Sequence, residues 1–177
     1  MRRQPFGFCR SQELTVRNVI TVLVLCAIAA HDVAGQVPAT SDRLPTTQEL
    51  REAPELVILA GHKLTLETYL WRDFQPRTPE GGKPLCSLLK VRSADEKRLP
   101  PDLRVLNVWI LNEQKIWSTS SVEPRQRPNQ SNSMEFVARG GPKWGPDANV
   151  DVIVRLQDGS GASCLLQAKF QQIRQTQ

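Results

Sequence analysis

The sequence predicts an all-β domain that follows an export signal. About seven or eight short apolar segments with period-two alternation succeed one another from residue 56 onwards, turn residues recur roughly every ten residues, and no long amphipathic helix interrupts them. A single antiparallel sandwich of two sheets accommodates this number of strands. We therefore expect a signal peptide at residues 1–35, a disordered linker at 36–54 and a β-sandwich domain at 55–177.

The first 35 residues have the layout of a secretory signal peptide. Four arginines precede an apolar run at residues 19–30, and the small residues Ala34 and Gly35 follow it. As a helix this run would cover only roughly 18 Å, which is short of the ~30 Å hydrocarbon core. We predict cleavage after Gly35 and a secreted or periplasmic location. An uncleaved signal anchor is the alternative, and it is the one membrane attachment that we expect.

Charge excludes one class of partner. Cleavage would remove four arginines and two acidic residues, so the formal net charge would fall from +5 to +3. Such a mild excess does not indicate nucleic-acid binding. We expect a partner among other exported or envelope proteins, and the sequence leaves the oligomeric state open.

The predicted linker at residues 36–54 is polar and contains three prolines. Thr46 and Glu49 have the spacing of a capping box for one short helix that would end near Arg51. So short a helix is marginal in water unless it packs against something.

The strands are predicted from alternation and apolar runs. Leu64, Leu66 and Leu70 alternate with polar or aromatic residues, so we expect the leucines to face the core. The run at 103–111 is the most apolar and predicts a central strand buried on both faces. A hairpin at 149–170 would turn at Asp158-Gly159-Ser160-Gly161. Its expected inward residues are Val150, Val152, Val154, Leu156, Cys164, Leu166, Ala168 and Phe170. The other predicted strands cover residues 56–60, 63–71, 85–91, 116–120 and 134–139.

Two stretches are predicted to be surface loops. Residues 123–133 are polar, and Pro124 and Pro128 argue against strand pairing there. Residues 140–147 form a compact turn that holds Trp144 between glycines and prolines.

Cys86 and Cys164 are the two cysteines that would remain after cleavage. An even number of cysteines in an exported chain predicts a disulfide between them, and two buried free thiols are the alternative.

The strand number, this cysteine pair and Trp109 in a central strand resemble immunoglobulin-like and fibronectin type III-like exported domains over residues 55–174. The resemblance implies a sandwich of two sheets.

The sequence offers little for catalysis. His62 is the one histidine in residues 36–177, so histidine-based triads and zinc sites have no support. Asp147, Asn149 and Asp151 are spaced like the start of a calcium loop, but Val152 stands where such a loop needs glycine. We therefore predict no catalytic residue, no metal and no cofactor.

The basic residues Arg139 and Lys143 with Trp144 form a candidate partner surface. We expect a non-catalytic binding or envelope-associated accessory module. The alternatives are a small secreted hydrolase that uses carboxylates, and an inhibitor or chaperone-like subunit that inserts the loop at 123–133 or at 140–147 into its partner.

Overall fold

One short helix and nine strands form the described part of the chain, residues 43–125 and 131–176, in the computed structural model. The predicted signal peptide and the linker up to residue 42 lie outside these residues. No helix of the described ranges is long and apolar enough to cross a membrane. The elements are α1 (Thr47–Arg51), β1 (Leu56–Leu59), β2 (His62–Asp73), β3 (Leu85–Ser93), β4 (Arg104–Asn112), β5 (Lys115–Thr119), β6 (Val122–Arg125), β7 (Ser133–Gly141), β8 (Asn149–Gln157) and β9 (Ser163–Thr176).

The strands form one curled, mixed sheet in the order β5-β4-β8-β9-β2-β3-β7-β6, and β1 is added beside β2. All neighbours are antiparallel except β2 and β9, which run parallel. The all-β class is thus confirmed. The prediction of two purely antiparallel sheets is wrong, because the strands form one sheet in which β2 and β9 pair in parallel.

A β-bulge in β9 lies just before this parallel contact. Val152 pairs with Ala168 and Val150 with Gln171, so Lys169 and Phe170 together stand opposite Asp151. The Phe170 N–H donates to Asp151 Oδ1 at 2.9 Å, and Phe170 has a φ of 55°. A bulge bends its strand and shifts the alternation. Beyond the bulge β9 pairs with β2, and Phe170, which we predicted to face the core, is 80 % exposed.

The two edge strands, β5 and β6, are consecutive in the chain and are joined by Ser120 and Ser121 alone. β6 corrects the prediction of a loop at residues 123–133, since Pro124 stands in register with Phe136 of β7. Proline is tolerated on an edge strand, because its missing N–H costs no ladder bond when that side has no partner strand. Residues 126–130 of the predicted loop lie outside the described residues.

The main core fills the inside of the curl. Leu64, Leu66 and Leu70 of β2 all belong to it, which confirms the predicted inward face. Strand β4 is buried on both faces over residues 108–111, whereas Arg104 is exposed and residues 105–107 are half-buried. Its residues Val108 and Ile110 point into the main core, whereas Trp109 and Leu111 belong to a second cluster.

The N-terminal segment covers this second cluster. The capping box of Thr46 and Glu49 is formed, and Leu50 of α1 packs with Ala53 against Trp109 and its neighbours. The described half of the predicted linker, residues 43–54, is therefore packed on the sheet. The packing supplies the stabilisation that so short a helix lacks on its own.

The structure corrects the predicted disulfide, because Cys86 and Cys164 are both free. Trp71 pairs with Cys86 on one side and with Arg174 on the other, so Cys86 lies level with the end of β9. Cys164 stands ten residues before Arg174, roughly 30 Å away along a regular strand. Cα atoms joined by a disulfide are about 4.4–6.8 Å apart.

A buried arginine fastens two loops at one end of the curl. Arg72 is 2 % exposed. Its Nε donates to the carbonyl of Lys83 at 3.0 Å, its Nη1 to those of Lys143 at 3.2 Å and Gly145 at 2.9 Å, and its Nη2 to that of Gly81. Burial lowers the pKa of the Arg72 guanidinium.

The first of these loops depends on a glycine. Gly82 has a φ of 74°, and a Cβ there would come within 2.8 Å of the Phe74 ring and 2.9 Å of the Asp73 carbonyl oxygen. The Phe74 ring in turn lies 4.8 Å from the Arg72 guanidinium carbon. The loop at residues 74–84 is therefore built around the arginine and an aromatic ring that packs on it.

We expect Arg72→Met to lower the free energy of unfolding by about 3 kcal/mol, because carbonyls of both loops would lose the buried donor that they share. Urea denaturation followed by circular dichroism measures the change. Arg104→Gln is the matched control, since Arg104 is exposed on β4, and it should stay within about 0.5 kcal/mol of the native protein. A similar loss in both variants would contradict the structural role of Arg72.

We expect both cysteines to react with iodoacetamide in denaturant without prior reduction, and to react slowly in the folded protein. Burial raises the pKa of the Cys164 thiol to about 12, and the Asp158 charge adds to the effect. Near pH 8 its thiolate fraction is then roughly a thousandfold below that of an ordinary thiol. Peptide mass mapping reads out each site, and protection of both in unreduced denaturant would show a disulfide.

The Cys164 thiol also makes stability depend on pH. The unfolded chain ionises this thiol near pH ~8.5, whereas the folded protein keeps it protonated, so stability should fall as the pH rises above about 8.5. Cys164→Ala should reduce this dependence, which pH-resolved urea titrations would measure.

Candidate functional site

The predicted partner surface divides into three separate environments. Trp144 is half-buried and packs against the main core. Lys143 donates from Nζ to the Glu80 carbonyl at 3.1 Å. Arg139 lies on the outer face of β7, with its Nη1 3.5 Å from Cys86 Sγ. Of the three residues, only Arg139 lines the pocket described next.

A surface pocket of about 280 Å³ opens on the outer face where β2, β3 and β7 end. Arg139 and Lys83 bring positive charge to its wall, and Trp71 contributes an aromatic side. Buried residues close its floor. Its lining consists of Trp71, Asp73, Lys83, Pro84, Leu85, Cys86, Arg139 and Gly140.

Asp73 is the one carboxylate in the pocket lining, and it is held by its surroundings. Lys83 Nζ lies 2.7 Å from Asp73 Oδ2, and the Gln75 N–H donates to Oδ1 at 3.0 Å. The hydrogen bond from Lys83, followed by that from Gln75, lowers the pKa of Asp73. An ionised carboxylate suits binding of a hydroxyl or a cation better than it suits proton donation.

Beside the pocket lies an aromatic pair with an arginine above it. The rings of Tyr69 and Trp71 have centroids 5.5 Å apart at an interplanar angle of 37°. The guanidinium carbon of Arg174 lies 5.2 Å from the centre of the Tyr69 ring, within the range of a cation–π interaction. No carboxylate pairs with Arg174 among the described residues.

Exposed apolar side chains gather on the same face. Leu56 and Ile58 stand in register with Thr65 and Lys63 of β2, so they share the face of Tyr69 and are each 48 % exposed. Tyr69 is 39 % exposed. Phe170 projects outward from the bulge in the neighbouring strand. We call this surface the outer aromatic face, and its residues are Leu56, Ile58, Tyr69, Trp71, Phe170 and Arg174.

The sequence contained part of the signal for this face. Tyr69 and Trp71 alternate with the inward leucines of β2, which places both outside. The arrival of Phe170 and Arg174 beside them depends on the bulge and on the parallel pairing, and neither feature has a local sequence signature.

Comparison with known proteins adds no relative. No family model matches the chain, and no curated protein or solved structure matches it either. Within residues 43–125 and 131–176, no group of three or more His, Cys, Asp or Glu residues is placed to hold a metal ion.

We expect Lys83→Met to raise the pKa of Asp73, because the variant removes its strongest hydrogen bond and the nearby positive charge. A carboxyl-detected NMR titration of the native protein and the variant measures the change. Lys90→Met is the control, since Lys90 lies near Glu67 instead, and it should leave the Asp73 titration in place. An unchanged pKa in Lys83→Met would show that the pair does not form in solution.

Proposed function

We propose that this chain is an exported, non-catalytic β-domain that binds another component of the envelope or exterior through its outer aromatic face. The observation that carries the proposal is that most of the exposed apolar groups lie on one face of the sheet. Of the six exposed large hydrophobic side chains in the described ranges, four lie on this face: Leu56, Ile58, Tyr69 and Phe170. The export signal proposed at residues 1–35 supplies the location.

Exposed apolar groups are common singly, and several on one face of a sheet are more informative. Phe170 is the most exposed of these side chains, because a bulge holds its backbone at positive φ and leaves the ring in solvent. The hydrogen bond to Asp151 fixes this geometry. A non-glycine residue at positive φ costs free energy, and such positions concentrate at binding and active sites.

The pocket supports a binding role more than a catalytic one. General acid–base chemistry needs titratable groups within reach of each other. Asp73 is tied to Lys83, and His62 lies at the opposite end of β2. The resemblance to immunoglobulin-like and fibronectin type III-like domains serves here as an architectural analogy: a rigid β scaffold that presents one binding face.

The proposal predicts position-dependent crosslinking in the native host. A photo-reactive phenylalanine analogue at position 170 should give a discrete adduct, because this side chain would enter the contact. The same analogue at position 116 is the control, since Ile116 is also exposed, at 40 %, but lies on edge strand β5.

The readout is the mass of the adducts after purification. A discrete adduct at 170 that weakens when Tyr69→Ala is added would support the proposed face. Equal labelling at 170 and 116, or none at 170, would overturn it.

A further inference from the structure

We propose that the ligand of the outer aromatic face is an acidic polysaccharide, with a sugar ring seated against Trp71 and carboxylates of the polymer near Arg174 on one side and Arg139 on the other. This inference rests on the proposed function and narrows it to one class of ligand. It is carried by three properties of the surface: its position in the sheet, its aromatic rings and its exposed positive charge.

Position in the sheet argues against an extended peptide. Peptides that bind β proteins commonly add a strand at a free edge, where main-chain hydrogen bonds supply affinity. Strand β2 lies in the middle of the sheet, between β3 on one side and β1 and β9 on the other. At Trp71 the backbone pairs with Cys86 of β3 and with Arg174 of β9, so a ligand seated against this ring can reach only side chains.

A sugar ring fits those conditions. One face of a pyranose ring is made of C–H groups that pack on an aromatic ring through dispersion, while its hydroxyls bond to polar side chains at the rim. Tyr69 and Trp71 supply tilted aromatic surfaces, and Asp73 and Lys83 supply an acceptor and a donor at the pocket wall. The pocket volume of about 280 Å³ is at the lower end of ligand pockets, roughly 300 Å³, which suits a single ring.

The charge selects an acidic sugar. Arg174 has no carboxylate partner among the described residues and is held over Tyr69, so its guanidinium edge is available. Arg139 faces Glu123 at 3.5 Å, in an ion pair whose two side chains are both more than 60 % exposed. An arginine binds a carboxylate through two parallel hydrogen bonds, and ligand carboxylates can compete with a pair so weakly held.

Affinity electrophoresis of the purified protein tests the inference in gels that contain polygalacturonate, neutral dextran or poly-L-glutamate. We expect polygalacturonate to retard the protein most strongly and added salt to weaken the effect. Arg174→Gln should weaken binding about tenfold, and Arg104→Gln should not change it. Trp71→Phe, which keeps an aromatic ring, should bind better than Trp71→Ala.

Other outcomes would overturn the inference. If dextran retards the protein as strongly as polygalacturonate does, charge does not select the ligand. If poly-L-glutamate retards it equally, the surface binds polyanions in general. If polygalacturonate fails while the adduct at position 170 persists, the ligand class is wrong and the binding face stands. If both are absent, the proposed function fails as well. Circular dichroism of each variant separates loss of binding from loss of fold.

Discussion

The buried guanidinium of Arg72 is the interaction on which the pocket end of this sheet depends. A charge removed from water is costly unless hydrogen bonds replace its hydration. Here the carbonyls of two loops replace it, and the aromatic ring of Phe74 packs against the guanidinium. One of these loops carries Lys83 and Pro84 into the pocket wall. A buried arginine on the inner face of β2 therefore positions groups that line the pocket on the outer face.

Strand β2 has two functions on its two faces. Its leucines anchor the main core, while Tyr69 and Trp71 stand outside on the same backbone. Because the leucines pack rigidly in the core, the backbone of β2 holds the aromatic pair on its other face in a fixed geometry. A binding surface on the middle strands of a sheet is better ordered than one on loops, and little conformational entropy is then lost when a ligand binds.

Local patterns were sufficient for most strands, for the inward leucines and for the capping box of Thr46 and Glu49. These patterns failed where the structure depends on contacts between residues that are far apart in the chain. The pattern at residues 36–54 predicted a linker and did not indicate that Leu50 packs against Trp109. The number of cysteines likewise carried no information about the strand register that separates Cys86 from Cys164. For the candidate site, alternation placed Tyr69 and Trp71 outside, but the bulge that brings Phe170 beside them required a partner, Asp151, from another strand.

The short link between β5 and β6 has a consequence for solubility. An open sheet usually presents two edges, and each can recruit strands from other molecules. Here Ser120 and Ser121 join the two edge strands, and β5 contacts β7 while β4 contacts β6. The two edge strands therefore come together at this corner, and Pro124 of β6 has no N–H to offer to another strand. The curl thus brings both ends of the strand order together, and the β6 edge already carries a residue that discourages aggregation.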